Sequence, residues 1–162
     1  RDFAARWLAP RLAAYGQTDP EIRFLLIAAD DPIDFTEANL DLAIRFAADA
    51  GENEGVRLAE GRFVTVAPPQ SKNATPIAWP GCPGEDGDAM VRVADAGLAI
   101  DAAIQGLGTA CVPELLAERD IAAGTVGRIG DVIESERSYW LMAPLPQWRQ
   151  KKVKALVAAL TA

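Results

Sequence analysis

Residues 95–124, DAGLAIDAAIQGLGTACVPELLAERDIAAG, decide the fold class of this chain. Small and apolar side chains recur at helical spacing in the first part, Asp95 stands at an N-cap position, and Gly106 and Gly108 close the segment. This pattern predicts a short buried helix. A β-prone run at 109–112 then predicts a strand, and the remaining residues, which open with proline and end with glycine, predict a second helix. Helix, strand and helix in so few residues indicate part of a parallel α/β layer.

Composition restricts the class of protein further. The chain has 162 residues, of which half are hydrophobic, and no apolar run approaches the roughly 20 residues of a membrane span. We find no signal peptide. The net charge of −7 argues against a phosphate-binding surface, so DNA contacts are expected only from residues outside this sequence. Cys82 and Cys111 are too few for a disulfide framework or a metal site.

Catalytic chemistry has little support. The chain has no histidine, and Ser71, Ser135 and Ser138 form no nucleophile elbow. The sequence Gly-Leu-Gly-Thr at 106–109 resembles part of a dinucleotide fingerprint, but it follows a predicted helix and opens a strand, whereas the fingerprint does the reverse. We interpret the two glycines as a tight helix exit. An enzyme is therefore the least favoured class, and no cofactor is expected.

The remaining periodicity predicts further elements on both sides of this stretch. They are a helix whose regular part begins near Arg6 and reaches Tyr15, strands at 22–28, 42–46, 56–60, 63–68, 90–94 and 138–143, a helical turn at 36–40 and a helix at 148–160. Prolines and glycines between 68 and 88 predict a linker or long loop.

Three stretches, in this order, resemble one known family. They are F-A-x-R-W-L-x-P-R-L at 3–12, Ile-Asp-Phe at 33–35 followed by DLAIRF at 41–46, and A-x-L-A-x-D-A-A-x-x-G-x-G-x-A-x-V-P-E-x-L at 96–116, with Tyr-Trp-Leu at 139–141 near the end. The chain resembles the effector-binding domain of LysR-type transcriptional regulators, in the branch of glycine-cleavage and β-lactamase regulators. Only 68–93 fails to match, either as a real deletion or as missing residues.

The resemblance implies a two-lobed α/β domain like that of periplasmic binding proteins, with two small sheets flanked by helices and joined by two crossover strands. The first lobe would comprise 1–67 and 145–162, and the second 68–144. The family's N-terminal winged helix-turn-helix is absent from this chain, and so is the strand that normally precedes Phe3, which suggests a fragment.

The resemblance also implies a site for a small-molecule effector between the lobes. The residues at the family's matching positions are Asp2, Phe3, Asp34, Phe35, Asp95, Ala96 and Tyr139. Asp30 and Asp31 are interpreted as a solvated turn instead. Asp34 would pair with an ammonium group and the amino end of the helix at 95 would favour a carboxylate, which suggests an amino-acid-like or peptide-like effector.

The function implied is that of an effector-sensing domain of a cytoplasmic LysR-type regulator, which forms a homodimer or homotetramer and contacts DNA only through the missing domain. A free-standing solute-binding protein of the periplasmic type is the alternative, and a signal peptide upstream would favour it.

Overall fold

A computed structural model of the chain describes residues 1–29, 31–32, 34–84 and 89–162. Its regular elements, in chain order, are a π-helical segment Ala4–Leu8, α1 (Ala9–Thr18), β1 (Ala43–Ala47), β2 (Glu54–Arg57), β3 (Arg62–Ala67), β4 (Pro76–Ala78), β5 (Val91–Arg92), α2 (Ala96–Ile104), β6 (Thr109–Pro113), α3 (Glu114–Ala122), β7 (Gly127–Glu134), β8 (Ser138–Ala143), α4 (Leu145–Trp148) and α5 (Lys151–Thr161). Within these described ranges, no helix has the length and apolar character that crossing a bilayer requires.

Two compact units share these elements. The first unit is Arg1–Ala9 with Arg62–Ser135, and the second unit is Pro10–Gly61 with Glu136–Ala162. Strand β3 belongs to the first unit because it pairs with β6 on one side and β7 on the other. The lobes expected from the sequence divide the chain at other residues, and that division stays a prediction.

The first unit is built on a five-stranded sheet in the order β5-β4-β6-β3-β7. Strand β4 runs parallel to β5 and β6, while β3 is antiparallel to both of its neighbours. One face of the sheet is apolar because Val64, Val66, Ala110 and Val112 are at most 1% exposed, and the buried Ile100 of α2 belongs to the same core. The α/β layer predicted from residues 95–124 is confirmed.

Helix α2 begins and ends as its sequence predicts. The side chain of Asp95 accepts a hydrogen bond from the backbone N of Leu98, which is the N-cap bond expected of aspartate. At the exit, Gly106 has a φ of +89° and Gly108 brings the chain against β4, since a Cβ at Gly108 would lie 1.9 Å from the Thr75 carbonyl oxygen. The glycine pair is therefore a helix exit, as interpreted from the sequence.

The second unit contains an antiparallel sheet in the order β1-β8-β2. Strand β8 lies in the middle, and its Leu141 is 1% exposed. The buried Ser138 at the start of β8 donates a hydrogen bond of 2.6 Å from its Oγ to the carbonyl of Ala59. Strands β1 and β8 confirm the predictions at 42–46 and 138–143.

The predicted strand at 22–28 is wrong. This segment has no regular secondary structure, and its apolar side chains are exposed, Leu25 by 85% and Ile27 by 53%. An apolar run of strand length indicates burial on both faces only if neighbouring strands are present to pair with it. No ladder partner occurs for it among the described residues.

The structure also differs from the prediction in where two helices begin and in two strands that were not predicted. The helical turns at the amino end begin before Arg6, because a π-helical segment precedes Pro10 and its wider turn accommodates a residue without an N–H. The predicted helix at 148–160 is α5, which begins three residues later at Lys151, because Trp148 ends the separate short helix α4. Strand β4 inside the predicted linker was missed, as was β7, whose Gly130 has a φ of +68° next to a register shift.

Candidate functional site

The amino end of α2 is the most completely built part of the candidate site, and it lies within the first unit. Oδ1 of Asp95 accepts from the N of Leu98 at 2.8 Å, and Oδ2 of Asp2 accepts from the N of Gly97 at 3.3 Å. Two carboxylates thus already receive N–H groups that point out of the helix, where the helix dipole stabilises negative charge. Asp2, which was expected to contact the effector, thus lies at this helix end, and its effector contact stays a prediction.

The close approach of the amino-terminal segment to α2 depends on Gly97. A Cβ on Gly97 would lie 2.6 Å from the Cβ of Asp2 and 3.3 Å from Nε of Arg6. Side-chain atoms do not tolerate the shorter of these distances, so a residue larger than glycine would push the amino-terminal segment away from α2.

Arg6 fixes the same segment to both helices of the first unit. Its guanidinium donates to Asp101 of α2, to the carbonyl of Gly97 at 3.1 Å and to Oδ2 of Asp120 in α3 at 2.8 Å. The Arg6 side chain is 17% exposed, so these charge-assisted bonds are partly shielded from water. Arg6 was not among the residues predicted to bind the effector, although it is the arginine of the F-A-x-R motif.

Phe3 and Ala96 are both buried side chains of the first unit. Phe3 is 8% exposed and stacks on Trp7 with ring centroids 5.1 Å apart, while Ala96 is 1% exposed. Both were predicted as effector contacts. Those contacts stay a proposal, and a ligand would have to reach side chains that are buried in this structure.

Asp34 and Phe35 lie in a turn of the second unit. Oδ1 of Asp34 accepts from the backbone N of Thr36 and of Glu37, each at 2.8 Å, so Asp34 caps the turn that follows it. The carbonyl of Phe35 accepts from the N of Leu40 at 2.9 Å and closes the turn. Since both described bonds end on Oδ1, Oδ2 is the Asp34 oxygen with capacity for a ligand. Asp30, which the sequence placed beside this turn, lies outside the described residues, as does Ile33.

Tyr139 lies on β8 in the second unit. Its ring packs at 5.1 Å and a tilt of 49° against Phe46, which is its pairing partner on β1. The guanidinium of Arg137 lies 5.5 Å from the centre of the Phe46 ring and donates to the Phe46 carbonyl. Tyr139 is thereby fixed in an aromatic cluster with a cation beside it.

The predicted site residues thus fall into two groups. Asp2, Asp95 and Ala96 come together at the amino end of α2 and Phe3 follows Asp2 in the first unit, whereas Asp34, Phe35 and Tyr139 belong to the second unit. The chemistry available in both groups is binding, since carboxylates, backbone N–H groups and aromatic rings are present. Within the described ranges, no group of three or more metal-ligating side chains occurs.

Comparison with known proteins agrees with this architecture. The family model described as LysR substrate binding domain matches residues 1–86, slightly more than half of the chain. The HTH-type transcriptional activators AmpR of Rhodobacter capsulatus and of Pseudomonas aeruginosa are each 27% identical to it, over 88% and 86% of this chain. The chain covers 57% and 55% of those two proteins, so it spans little more than half their length.

Solved structures with the same fold include two effector domains. The effector domain of AmpR from Pseudomonas aeruginosa superposes with a TM-score of 0.72 at 22% identity, over 99% of this chain and 89% of that one. The AmpR effector binding domain from Citrobacter freundii gives a TM-score of 0.74 at 16% identity, over 99% and 92%.

These superpositions show a two-lobed α/β fold of the periplasmic-binding-protein type. The chain belongs to the LysR substrate binding domain family. The relatives are transcriptional regulators, which favours the regulatory function expected from the sequence over a free-standing solute-binding protein.

Proposed function

We propose that this domain binds a small-molecule effector between its lobes and that binding controls transcription through a DNA-binding N-terminal domain outside residues 1–162. The match to the LysR substrate binding domain carries the proposal. The two relatives are named HTH-type transcriptional activators, and the part of them that this chain does not cover leaves room for a DNA-binding domain. Binding rather than catalysis is the function, because the family is a sensing domain of regulators.

The effector contacts proposed are the seven residues that match the family's positions. They are Asp2, Phe3, Asp34, Phe35, Asp95, Ala96 and Tyr139. The geometry that supports this choice is the capped amino end of α2 in the first unit and the aspartate-capped turn in the second unit.

The chemistry of these groups suggests an amino-acid-like or peptide-like effector. Oδ2 of Asp34 can accept from an ammonium group. A carboxylate suits the helix end, but it must first replace Asp2 at the N of Gly97, because Asp2 accepts from that N–H in this structure. Ala96 offers no hydroxyl to such a ligand, so its contact would be apolar.

Assembly into a homodimer or homotetramer in the cytoplasm completes the proposal. The exposed apolar segment at 22–28 supports a contact between protomers, since its side chains are open to solvent in the isolated chain. Sedimentation at tens of micromolar is expected to show dimer, and monomer alone would contradict this part of the proposal.

DNA contact is assigned to the N-terminal domain alone. A net charge of −7 opposes binding to phosphates. Mixed with duplex DNA at low salt, this chain should leave the duplex free, and micromolar binding would contradict the assignment.

A thermal-shift screen of amino acids and short peptides tests the effector proposal. A ligand at 100 times its Kd stabilises the folded state by about 2.7 kcal/mol. For a domain of this size that corresponds to a rise in Tm of roughly 5–11 °C. If compounds of other classes raise the Tm and amino acids and peptides do not, the effector class is wrong. If no compound of any class does so, the proposed binding function fails for this chain.

A further inference from the structure

Cys111 faces away from the helix-covered core of the first unit. Along β6, Ala110 and Val112 are fully buried, whereas Cys111 between them is only partly buried and points to the opposite face of the sheet. Thr65 lies directly opposite Cys111 on β3, and its side chain is hydrogen-bonded to the Cys111 thiol.

A tight turn after β4 brings Cys82 back toward the sheet. The N of Cys82 donates to the carbonyl of Trp79 at 3.0 Å, with Pro80 and Gly81 between them and a φ of +95° at Gly81. Proline followed by a glycine with positive φ is the pattern of a type II turn. The turn places Sγ of Cys82 3.5 Å from the backbone N of Trp79, from which it accepts a hydrogen bond.

Trp79 also contacts Cys111. Its indole Nε1 donates a hydrogen bond of 2.8 Å to the Cys111 carbonyl. Strand β4 pairs with β6 in parallel through Ile77 and Ala110, so the next residues along the two strands, Ala78 and Cys111, are neighbours. Adjacent strands lie about 4.8 Å apart. The turn that carries Cys82 therefore begins beside Cys111.

The two thiols also interact electrostatically. Burial raises the pKa of Cys111, the hydrogen bond from Thr65 partly opposes this, and negative charge on Cys82 raises the pKa further.

We propose that Cys82 and Cys111 form a redox-active dithiol that closes to an intramolecular disulfide on reaction with a hydroperoxide. The two cysteines are otherwise unassigned, because the proposed effector function uses neither of them. Closure would tie the turn after β4 to the central strand of the first unit.

The chemistry runs in two steps. The Cys82 thiolate attacks the outer oxygen of the hydroperoxide, the O–O bond breaks, and the leaving alkoxide takes a proton to become an alcohol, leaving a sulfenic acid on Cys82. The Cys111 thiol then loses its proton, its sulfur attacks the Cys82 sulfur, and the S–O bond breaks with release of water. Two thiols are oxidised to one disulfide and the hydroperoxide is reduced to an alcohol. Cys82 reacts first because burial opposes ionisation of Cys111.

The test treats the reduced chain with one equivalent of tert-butyl hydroperoxide and follows free thiols, intact mass and peptide linkage. The expected product has lost both thiols and the mass of two hydrogen atoms, remains a single chain on a non-reducing gel, and contains one peptide pair joined through Cys82 and Cys111. Reaction in denaturing guanidinium should be at least about tenfold slower, because the fold supplies the effective concentration of one thiol near the other.

Two matched pairs of variants separate a positioned dithiol from ordinary thiol oxidation. Cys111→Ser should stop at oxidised Cys82 and gain the mass of at least one oxygen atom, whereas Cys82→Ser should keep its remaining thiol, and neither variant should lose the mass of two hydrogen atoms. Gly81→Ala should slow disulfide formation, since it strains the turn, whereas Gly84→Ala strains the backbone beyond the turn and should leave the rate unchanged. Retention of both thiols in the parent, linkage only between chains, or equal rates in folded and denatured protein would overturn the proposal. None of these results depends on the effector.

Discussion

Replacement of Gly97 by alanine tests the packing at the amino end of α2. Alanine is favoured over glycine within a helix by up to about 1 kcal/mol. Against this, the new Cβ would lie 2.6 Å from the Cβ of Asp2, so the amino-terminal segment must move. The movement removes the bond between Asp2 and the N of Gly97, a hydrogen bond to a charged group worth about 1.5–3 kcal/mol, and weakens that from Arg6 to the Gly97 carbonyl, worth about 1 kcal/mol. We therefore expect a net destabilisation of roughly 1–3 kcal/mol.

Urea unfolding of parent and variant measures this difference directly, and the fall in Tm should be roughly 2–12 °C. Gly127→Ala is the matched control, because a Cβ at Gly127 meets no atom within 4 Å and its φ is not in the left-handed region. The control should change stability by less than about 0.5 kcal/mol. If Gly97→Ala is as stable as the parent, Asp2 and Arg6 do not pack on α2 as described.

Three further predictions concern the first unit. Gly108→Ala should destabilise by about 3 kcal/mol or more in urea unfolding, because its Cβ would lie 1.9 Å from the Thr75 carbonyl oxygen and displace β4; a loss below about 1 kcal/mol would contradict this contact. Arg6→Met should cost about 2 kcal/mol because it leaves the partly buried Asp120 of α3 without its arginine and also removes the bonds to α2, whereas Arg57→Met, which removes an exposed ion pair, should cost less than about 1 kcal/mol. Since burial raises the pKa of Cys111 in the folded state, its contribution to stability is complete below the pKa of the unfolded thiol and is lost as pH rises through the folded pKa. The fall in stability above about pH 9 should therefore be shallower in Cys111→Ala, and identical slopes would contradict the shift.

Most of the first unit was predictable because its signals are local. An aspartate at the N-cap, apolar spacing along α2 and glycines at the exit each act within one turn, and the structure confirms them. Strand β6 and helix α3 follow for the same reason, since a β-branched run and a proline mark the change of element.

The failures have a different physical cause. The segment at 22–28 has the composition of a buried strand, but burial depends on partners that composition does not report. Strand β4 was missed because its three residues lie among prolines and glycines, and only pairing with β5 and β6 makes them a strand. For both segments, pairing with neighbouring strands rather than local propensity decides whether a strand forms.

In the candidate site, too, local sequence signals were predictable and contacts between distant residues were not. Asp34 was singled out by its position in a family motif, and the structure adds that Oδ1 caps the following turn. The involvement of Arg6 and the occupation of the α2 end by Asp2 depend on contacts between residues about 90 positions apart or more, which no local pattern reports.

Calorimetric titration with a ligand identified by the screen tests the central claim most directly. Asp34→Asn removes the negative charge that is proposed to receive the ammonium group, and Asp31→Asn makes the same change at an exposed aspartate that is not proposed to bind. A hydrogen bond to a charged group is worth about 1.5–3 kcal/mol. Asp34→Asn should therefore raise the Kd by roughly 10- to 150-fold. Asp31→Asn should leave it within about twofold of the parent value. An unchanged Kd in Asp34→Asn, with the variant folded, would show that the effector does not bind at Asp34.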